Sequence, residues 1–189
     1  FFILEEEADA GAILQQENFN VNKDDTAKEV EKSFLNAMEI ALDKLLPRLI
    51  KGWWDPKIQN EKNKFEYGVR KPNDGLISWN QSAKSIERLV KAAAYPHPGA
   101  FTFCDSMMVK IKNAFIEEKI KIKGINGRVL KIKENKCLVQ TGDGIIWLEI
   151  DNFESYKIRV GSLFGYKTDL EIYTIKEELN KLKQLVNKN

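Results

Sequence analysis

The most constraining feature of this chain is a change of hydrophobic period at "YPHPGAF", residues 95–101. Before it, apolar residues recur at helical spacing; after it, they alternate. Two prolines flanking His97 are incompatible with helix and predict an extended crossing. A chain that changes period once in this way reads as two parts, residues 1–95 and 96–189, the first α/β and the second all-β.

In the second part "KIKIK" (119–123) alternates strictly, as a half-buried strand does. "RVLKIK" and "CLVQT" flank a turn at Glu134-Asn135, and "LVQT" and "IIWLEI" flank Gly142-Asp143-Gly144. Further short strands are expected over 156–175. Short strands at this spacing indicate a small barrel or sandwich. A last helix, "KEELNKLKQLVNK", carries Leu179, Leu182 and Leu185/Val186 on one face.

The first part opens "FFILEEEADAGAILQQENFNV", an extended segment, a corner at Asp9 and a second strand ending near Val21. A long helix follows. Asp25 or Thr26 caps it, and Glu29 stands three residues after Thr26, as in a capping box. Val30, Phe34, Met38, Ala41, Leu42, Leu45 and Leu49 predict its buried face, with Pro47 near its last turn and Gly52 closing it. Residues 53–80 are irregular but hold Trp53, Trp54, Phe65, Tyr67 and Trp79. Such aromatics either pack over the core or border a ligand, and packing is the preferred reading. Ser82 caps a short helix with Ala83, Ile86, Val90 and Ala93 inward.

No apolar run approaches the roughly 18 residues of a membrane span. Cys104 and Cys137 have neither metal-ligand nor disulfide-framework spacing, so reduced, packed thiols in a cytoplasmic protein are expected. "FFILEEE" has no signal-peptide features and reads as a strand already under way inside a larger domain. Residues 1–97 hold 14 basic and 16 acidic side chains, net −2; residues 98–189 hold 16 and 12, net +4. That surplus is too diffuse to establish a nucleic-acid footprint.

Asp9, between two alanines and before Gly11, admits two readings. Asp and Gly are ordinary turn residues. A carboxylate displayed on a loop by a rigid sheet is also a candidate catalyst.

Three stretches, "ADAGAIL", "RKPNDGLISWNQSAKSIERLVKAAAYPHPGAF" and "GRVLKIKENKCLVQTGDGIIWLEI", occur in that order. Together they resemble the formyltransferase family that uses 10-formyltetrahydrofolate, which includes methionyl-tRNA formyltransferase and the amino-sugar-nucleotide formyltransferases. The resemblance implies the C-terminal part of a Rossmann-like catalytic domain, residues 1–95 with a linker helix. An OB-like β-barrel with a terminal helix, residues 96–189, would follow. It places Asp9-Ala10-Gly11 on the family's Asp-(Ala/Thr)-Gly motif, making Asp9 the catalytic acid. The family's Asn-x-His segment and its Leu-Pro-x-x-x-Gly loop have no counterpart in these residues. The chain alone is therefore expected to be an inactive part of a formyltransferase. His97 falls where relatives place Tyr or Trp and reads as a packing residue.

The resemblance also implies how the reaction runs. A primary amine attacks the formyl carbon, generating an oxyanion and a surplus proton on nitrogen. Asp9 would take that proton or hold a neighbouring imidazolium, while Asn and His donors stabilise the oxyanion. The backbone of Glu5, Glu6, Glu7 and Ala8, with Asp9, would follow the pterin end of the folate co-substrate; no metal is implied. "PHPGAF" and "DAGAIL" favour an amino-sugar nucleotide as formyl acceptor. "VQTGDGII" and the +4 second part keep initiator methionyl-tRNA as the alternative. No membrane partner is expected. A different class of function is a non-catalytic nucleic-acid-binding module using Lys110, Lys112, Lys119, Lys121, Lys123, Lys131, Lys133 and Lys136. Against it, alternating lysines mark solvent faces, and only Phe115 interleaves with them as a stacking platform would require.

Overall fold

The computed structural model describes residues 1–60, 62, 65–166 and 168–186, with backbone only at 168–170. The chain divides into two compact units, Phe1–Asp74 with Ala94–His97, and Gly75–Ala93 with Pro98–Asn189. This differs from the division at residue 96 expected from sequence. The short helix belongs with the sheet, because its apolar face is buried there.

In the first unit, helix α1 spans Ala27–Ile50. Thr26 and Glu29 form the capping box, the Thr26 backbone N–H donating to the Glu29 carboxylate at 3.0 Å. Pro47 is accommodated in the final turn. Beyond it, Gly52 N–H reaches Leu49 O (2.9 Å) and Trp53 N–H reaches Arg48 O (3.0 Å), the bond pattern of a Schellman motif. The Arg48 guanidinium lies over the Trp53 ring. The buried line is Ala37, Ala41 and Leu45, so the predicted face is turned: Phe34 and Met38 are 52% and 37% exposed. Phe34 instead meets Phe19 edge-on, the ring centroids 6.3 Å apart. Lys44 pairs with Glu17 at 2.6 Å and Arg48 donates to Gln15 at 3.3 Å, so polar contacts also tie residues 15–17 to the helix. The strand expected over 12–21 is reduced to isolated bridges, Phe2 to Ile13 and Ile13 to Lys57. Past Leu14 the segment is held to α1 by side chains instead of by a backbone ladder.

The second unit is a five-stranded antiparallel sheet covered by helix α2 (Ala83–Ala93). Its strands are β1 (Ala100–Cys104), β2 (Met107–Glu117), β3 (Val129–Lys133), β4 (Lys136–Gln140) and β5 (Ile145–Ile150), in spatial order β1-β2-β5-β4-β3. Both predicted hairpin turns are present, with Glu134 and Gly144 at positive φ. Ile86 and Val90 of α2 are fully buried with Val109, Val139, Leu148 and Phe164. Trp79 lies in this core and its indole N–H donates to Thr102 at 3.0 Å, satisfying both polar groups. The start of α2 docks on the β4–β5 turn: Ala83 N–H donates to Asp143 O and Gly142 N–H to Gln81 O.

Two strand predictions fail in this unit. "KIKIK" forms no ladder, because β2 leaves the sheet after Glu117 pairs with Ile145. The Glu117 carboxylate then accepts the N–H groups of Lys119 (2.7 Å) and Ile120 (3.3 Å), turning the chain away. Its acceptance of the Trp147 indole N–H at 2.9 Å, the largest cause, holds the carboxyl below its ordinary pKa. The described residues of 156–175 supply no full strand. Residues 162–165 instead span the gap between the two edge strands, with Val129 N–H to Ser162 O, Phe164 N–H to Gly127 O and Gly165 N–H to Phe103 O. Helix α3 then runs over Thr168–Val186. The crossing at Pro96 is a tight turn, not an extended one; His97 N–H bonds Ala94 O at 3.0 Å and the Tyr95–Pro96 bond is cis.

Candidate functional site

The Asp9 corner is built by pairing on either side of it. Ile3 N–H donates to Ala12 O at 3.0 Å and Leu14 N–H to Phe1 O at 2.9 Å, which folds residues 4–11 into a projecting loop. Within that loop Asp9 has φ +56°, the left-handed region that Asp tolerates better than most residues. Gly11 is buried against the opposite strand. A Cβ there would stand 1.6 Å from Ile3 O, so only glycine lets the two segments close.

The loop is clamped from outside by a residue that sequence reasoning did not single out. Gln59 donates its amide Nε2 to Asp9 O at 2.7 Å and to Gly11 O at 2.8 Å. Two bonds from one planar group hold both ends of the left-handed turn, while Ile13 and Lys57 exchange backbone bonds at 2.8 and 2.9 Å beside it. Nothing in the local pattern around Gln59 marks this role, since the partners are 48 and 50 positions away.

The corner borders a depression of about 660 Å³ whose floor and walls include Ala8, Ala10, Ile13, Ile58 and Phe65. Its polar groups are Glu7, Asp9, Gln16, Gln59, Asn60 and Glu66. Among the described lining residues there are three carboxylates and no cation. The volume and the mixture of apolar wall with few polar groups fall within the range of small-molecule sites. The arrangement can hold a positively charged or proton-donating group against Asp9.

Of the residues implied by the resemblance, Glu7, Ala8 and Asp9 meet at this depression, whereas Glu5 and Glu6 are exposed on the loop outside it. The aromatic stretch divides: Trp79 is core, while Phe65 is 74% exposed and lines the depression. His97 is exposed and does not pack as expected. No group of three or more His, Cys, Asp or Glu side chains is placed to hold a metal among the described residues. No described helix is long and apolar enough to cross a membrane.

The lysine set forms no single platform. Lys110 and Lys112 alternate with buried Val109 and Ile111 on β2, the pattern of a strand's solvent face. Lys112 pairs with Glu149 at 3.2 Å, and Lys136 sits 5.2 Å from the Phe115 ring centroid. Two of the eight candidate cations, and the one interleaved aromatic, therefore have partners within the sheet.

Residues 70–164 match the family described as formyl transferase, C-terminal domain. Over 117 residues the chain is 33% identical to the bifunctional polymyxin resistance protein ArnA of Wigglesworthia glossinidia brevipalpis. That match covers 61% of this chain and 18% of the relative's length. Among solved structures, HypX from Aquifex aeolicus in complex with tetrahydrofolic acid aligns with a TM-score of 0.62 at 23% identity, over 78% of this chain and 25% of that one. An N-formyltransferase from Helicobacter canadensis, in complex with folinic acid and dTDP-3-aminofucose, aligns at 0.60 and 18% identity, over 79% and 54%. The chain thus spans only part of each of these proteins. With the family match extending over half of its length, the chain belongs to the formyl transferases, as a bearer of their C-terminal domain.

Proposed function

We propose that this chain is the C-terminal part of an enzyme that transfers a formyl group from 10-formyltetrahydrofolate to a primary amine, the amine being carried by an amino-sugar nucleotide. The observation that carries the reading is the Asp9-Ala10-Gly11 corner, clamped by Gln59 at the rim of a depression, in a chain that also carries a formyl transferase C-terminal domain. The first unit is read as the end of a Rossmann-like domain. The second is read as a reduced OB-like barrel, a view supported by residues 162–165 spanning its edge strands.

The depression suits the pterin end of a folate: apolar side chains such as Ile13 and Phe65 alternate in its lining with hydrogen-bonding groups, and Glu7 and Ala8 are exposed residues beside them. When bound, the co-substrate supplies an electrophilic formyl carbon. The chain's own contribution is to hold Asp9 at the rim, where its carboxylate accepts the proton that the amine nitrogen sheds. Gln59 prevents the loop from drifting, since placement within a fraction of an ångström governs such transfers. The 189 residues contain no Asn-x-His segment, so in isolation the chain is read as inactive. Two buried, unbridged thiols fit a cytoplasmic setting.

The test uses the longer protein containing this chain, offered 10-formyltetrahydrofolate with a dTDP- or UDP-linked amino sugar or with methionyl-tRNA. Asp9→Asn should lower kcat by about a hundredfold, the scale of general-base loss, without moving the thermal midpoint. A kcat within about threefold of wild type, far short of such a loss, would leave Asp9 as a turn residue only. Turnover with tRNA and not with the sugar nucleotides would replace the proposed acceptor.

A further inference from the structure

Helix α3 leaves a row of large apolar side chains in water. Ile172, Ile175, Leu179, Leu182 and Val186 are 45%, 62%, 48%, 59% and 73% exposed. Their spacing is 3, 4, 3, 4, a strict seven-residue repeat with Ile172, Leu179 and Val186 at the first apolar position and Ile175 and Leu182 at the second. A helix that packs on a sheet shows a broader apolar face, as α2 does; a narrow two-in-seven seam is the pattern of a coiled coil. Supercoiling to 3.5 residues per turn keeps such a seam facing a second helix throughout its length.

The flanking charges identify that helix. The positions preceding the first apolar residue are Glu171 and Glu178 in the first two repeats and Leu185, 63% exposed, in the third. The positions following the second are Lys176 and Lys183. In a parallel pair of identical helices each residue of the first kind meets the residue five places later on its partner. Glu171 then faces Lys176 and Glu178 faces Lys183, twice over by symmetry. An antiparallel pair would instead set glutamate against glutamate and lysine against lysine. Neither Lys176 nor Lys183 has an acidic residue three or four positions away along its own helix, so both are available to a partner chain.

We propose that α3 is a dimerisation element that pairs in parallel with α3 of a second copy of this chain. The seam from residue 172 to 186 is about 21 Å long at the rise of an α-helix. That is shorter than the three or four heptads of a free-standing coiled coil, so the association is concentration-dependent.

Sedimentation equilibrium on the full chain tests it. The wild type should show a monomer–dimer equilibrium in the micromolar range. Glu171→Lys with Glu178→Lys makes all four charged flanking positions basic, and Lys176→Glu with Lys183→Glu makes all four acidic. Each double variant alone should self-associate at least about tenfold more weakly, four attractive contacts having become repulsive. An equimolar mixture of the two should recover dimer. Separately, Val186→Cys should oxidise to a disulfide-linked dimer, since parallel pairing brings the two copies of that position together. A wild type that stays monomeric at about 100-fold higher concentration, charge variants that dimerise as well as wild type, or a mixture that fails to recover dimer would each overturn the proposal. These readouts are independent of catalysis and of the proposed acceptor.

Discussion

Gly11→Ala perturbs the Asp9 corner without touching a polar group. The new Cβ would be 1.6 Å from Ile3 O, and contacts of this kind are essentially never shorter than 3.0 Å, so the loop must yield by about 1.4 Å. Such a shift cannot preserve both the Ile3 N–H bond to Ala12 O (3.0 Å) and the Gln59 bond to Gly11 O (2.8 Å). Each lost bond is worth about 1 kcal/mol net, giving about 2 kcal/mol for the pair. In a unit of this size that lowers the thermal midpoint by on the order of 10 °C. Hydrogen exchange read by mass spectrometry should show the change concentrated in peptides covering residues 1–16 and 57–60. Gly68→Ala is the matched control, because nothing lies within 4 Å of its added methyl. In the longer enzyme, displacement by more than an ångström should cost about a hundredfold in kcat. If Gly11→Ala exchanges and melts like Gly68→Ala, the close approach does not define the corner and the reasoning fails.

Gln59→Ala should leave the fold intact but free both ends of the Asp9 turn, lowering kcat in the longer enzyme by about tenfold or more while residues 8–12 exchange faster. Gly142→Ala sets a methyl 2.0 Å from Asn80 O at the joint between α2 and the β4–β5 turn, and should destabilise the second unit by about 2 kcal/mol in a denaturant titration. Burial pushes the Cys137 thiol up to about 12. A thiol reagent should therefore modify it only after denaturation. Because the unfolded thiol ionises first, its contribution to stability is complete below about pH 8.5 and is lost as pH rises from there through about 12. A wild-type midpoint whose alkaline decline is no steeper than that of Cys137→Ser would count against it.

Local patterns along the chain determined more of the second unit than of the first. Alternation and the turn residues at Glu134-Asn135 and Gly142–Gly144 specify β3, β4 and β5, because a two-residue period and a positive-φ turn are properties of adjacent residues. Thr26 and Glu29 likewise mark the start of α1 through a bond spanning three positions. Asp9 is legible as one of two readings from its place at a corner between extended segments, and the resemblance of "ADAGAIL" is what favours the catalytic one. Tertiary structure decided the rest, and each case turns on a partner distant in sequence. Alternation in "KIKIK" satisfies the strand period, but a ladder needs a neighbouring backbone, and Glu117 already pairs with Ile145, the first residue of antiparallel β5. Phe34 and Met38 obey helical spacing, yet the line that finds cover is Ala37, Ala41 and Leu45, and Phe34 meets only the edge of Phe19, fifteen positions earlier. Gln59 holds the Asp9 corner across some 50 positions, and such a contact leaves no periodic trace. Periodicity records which side of an element avoids water; what that side meets is settled only when the chain closes on itself.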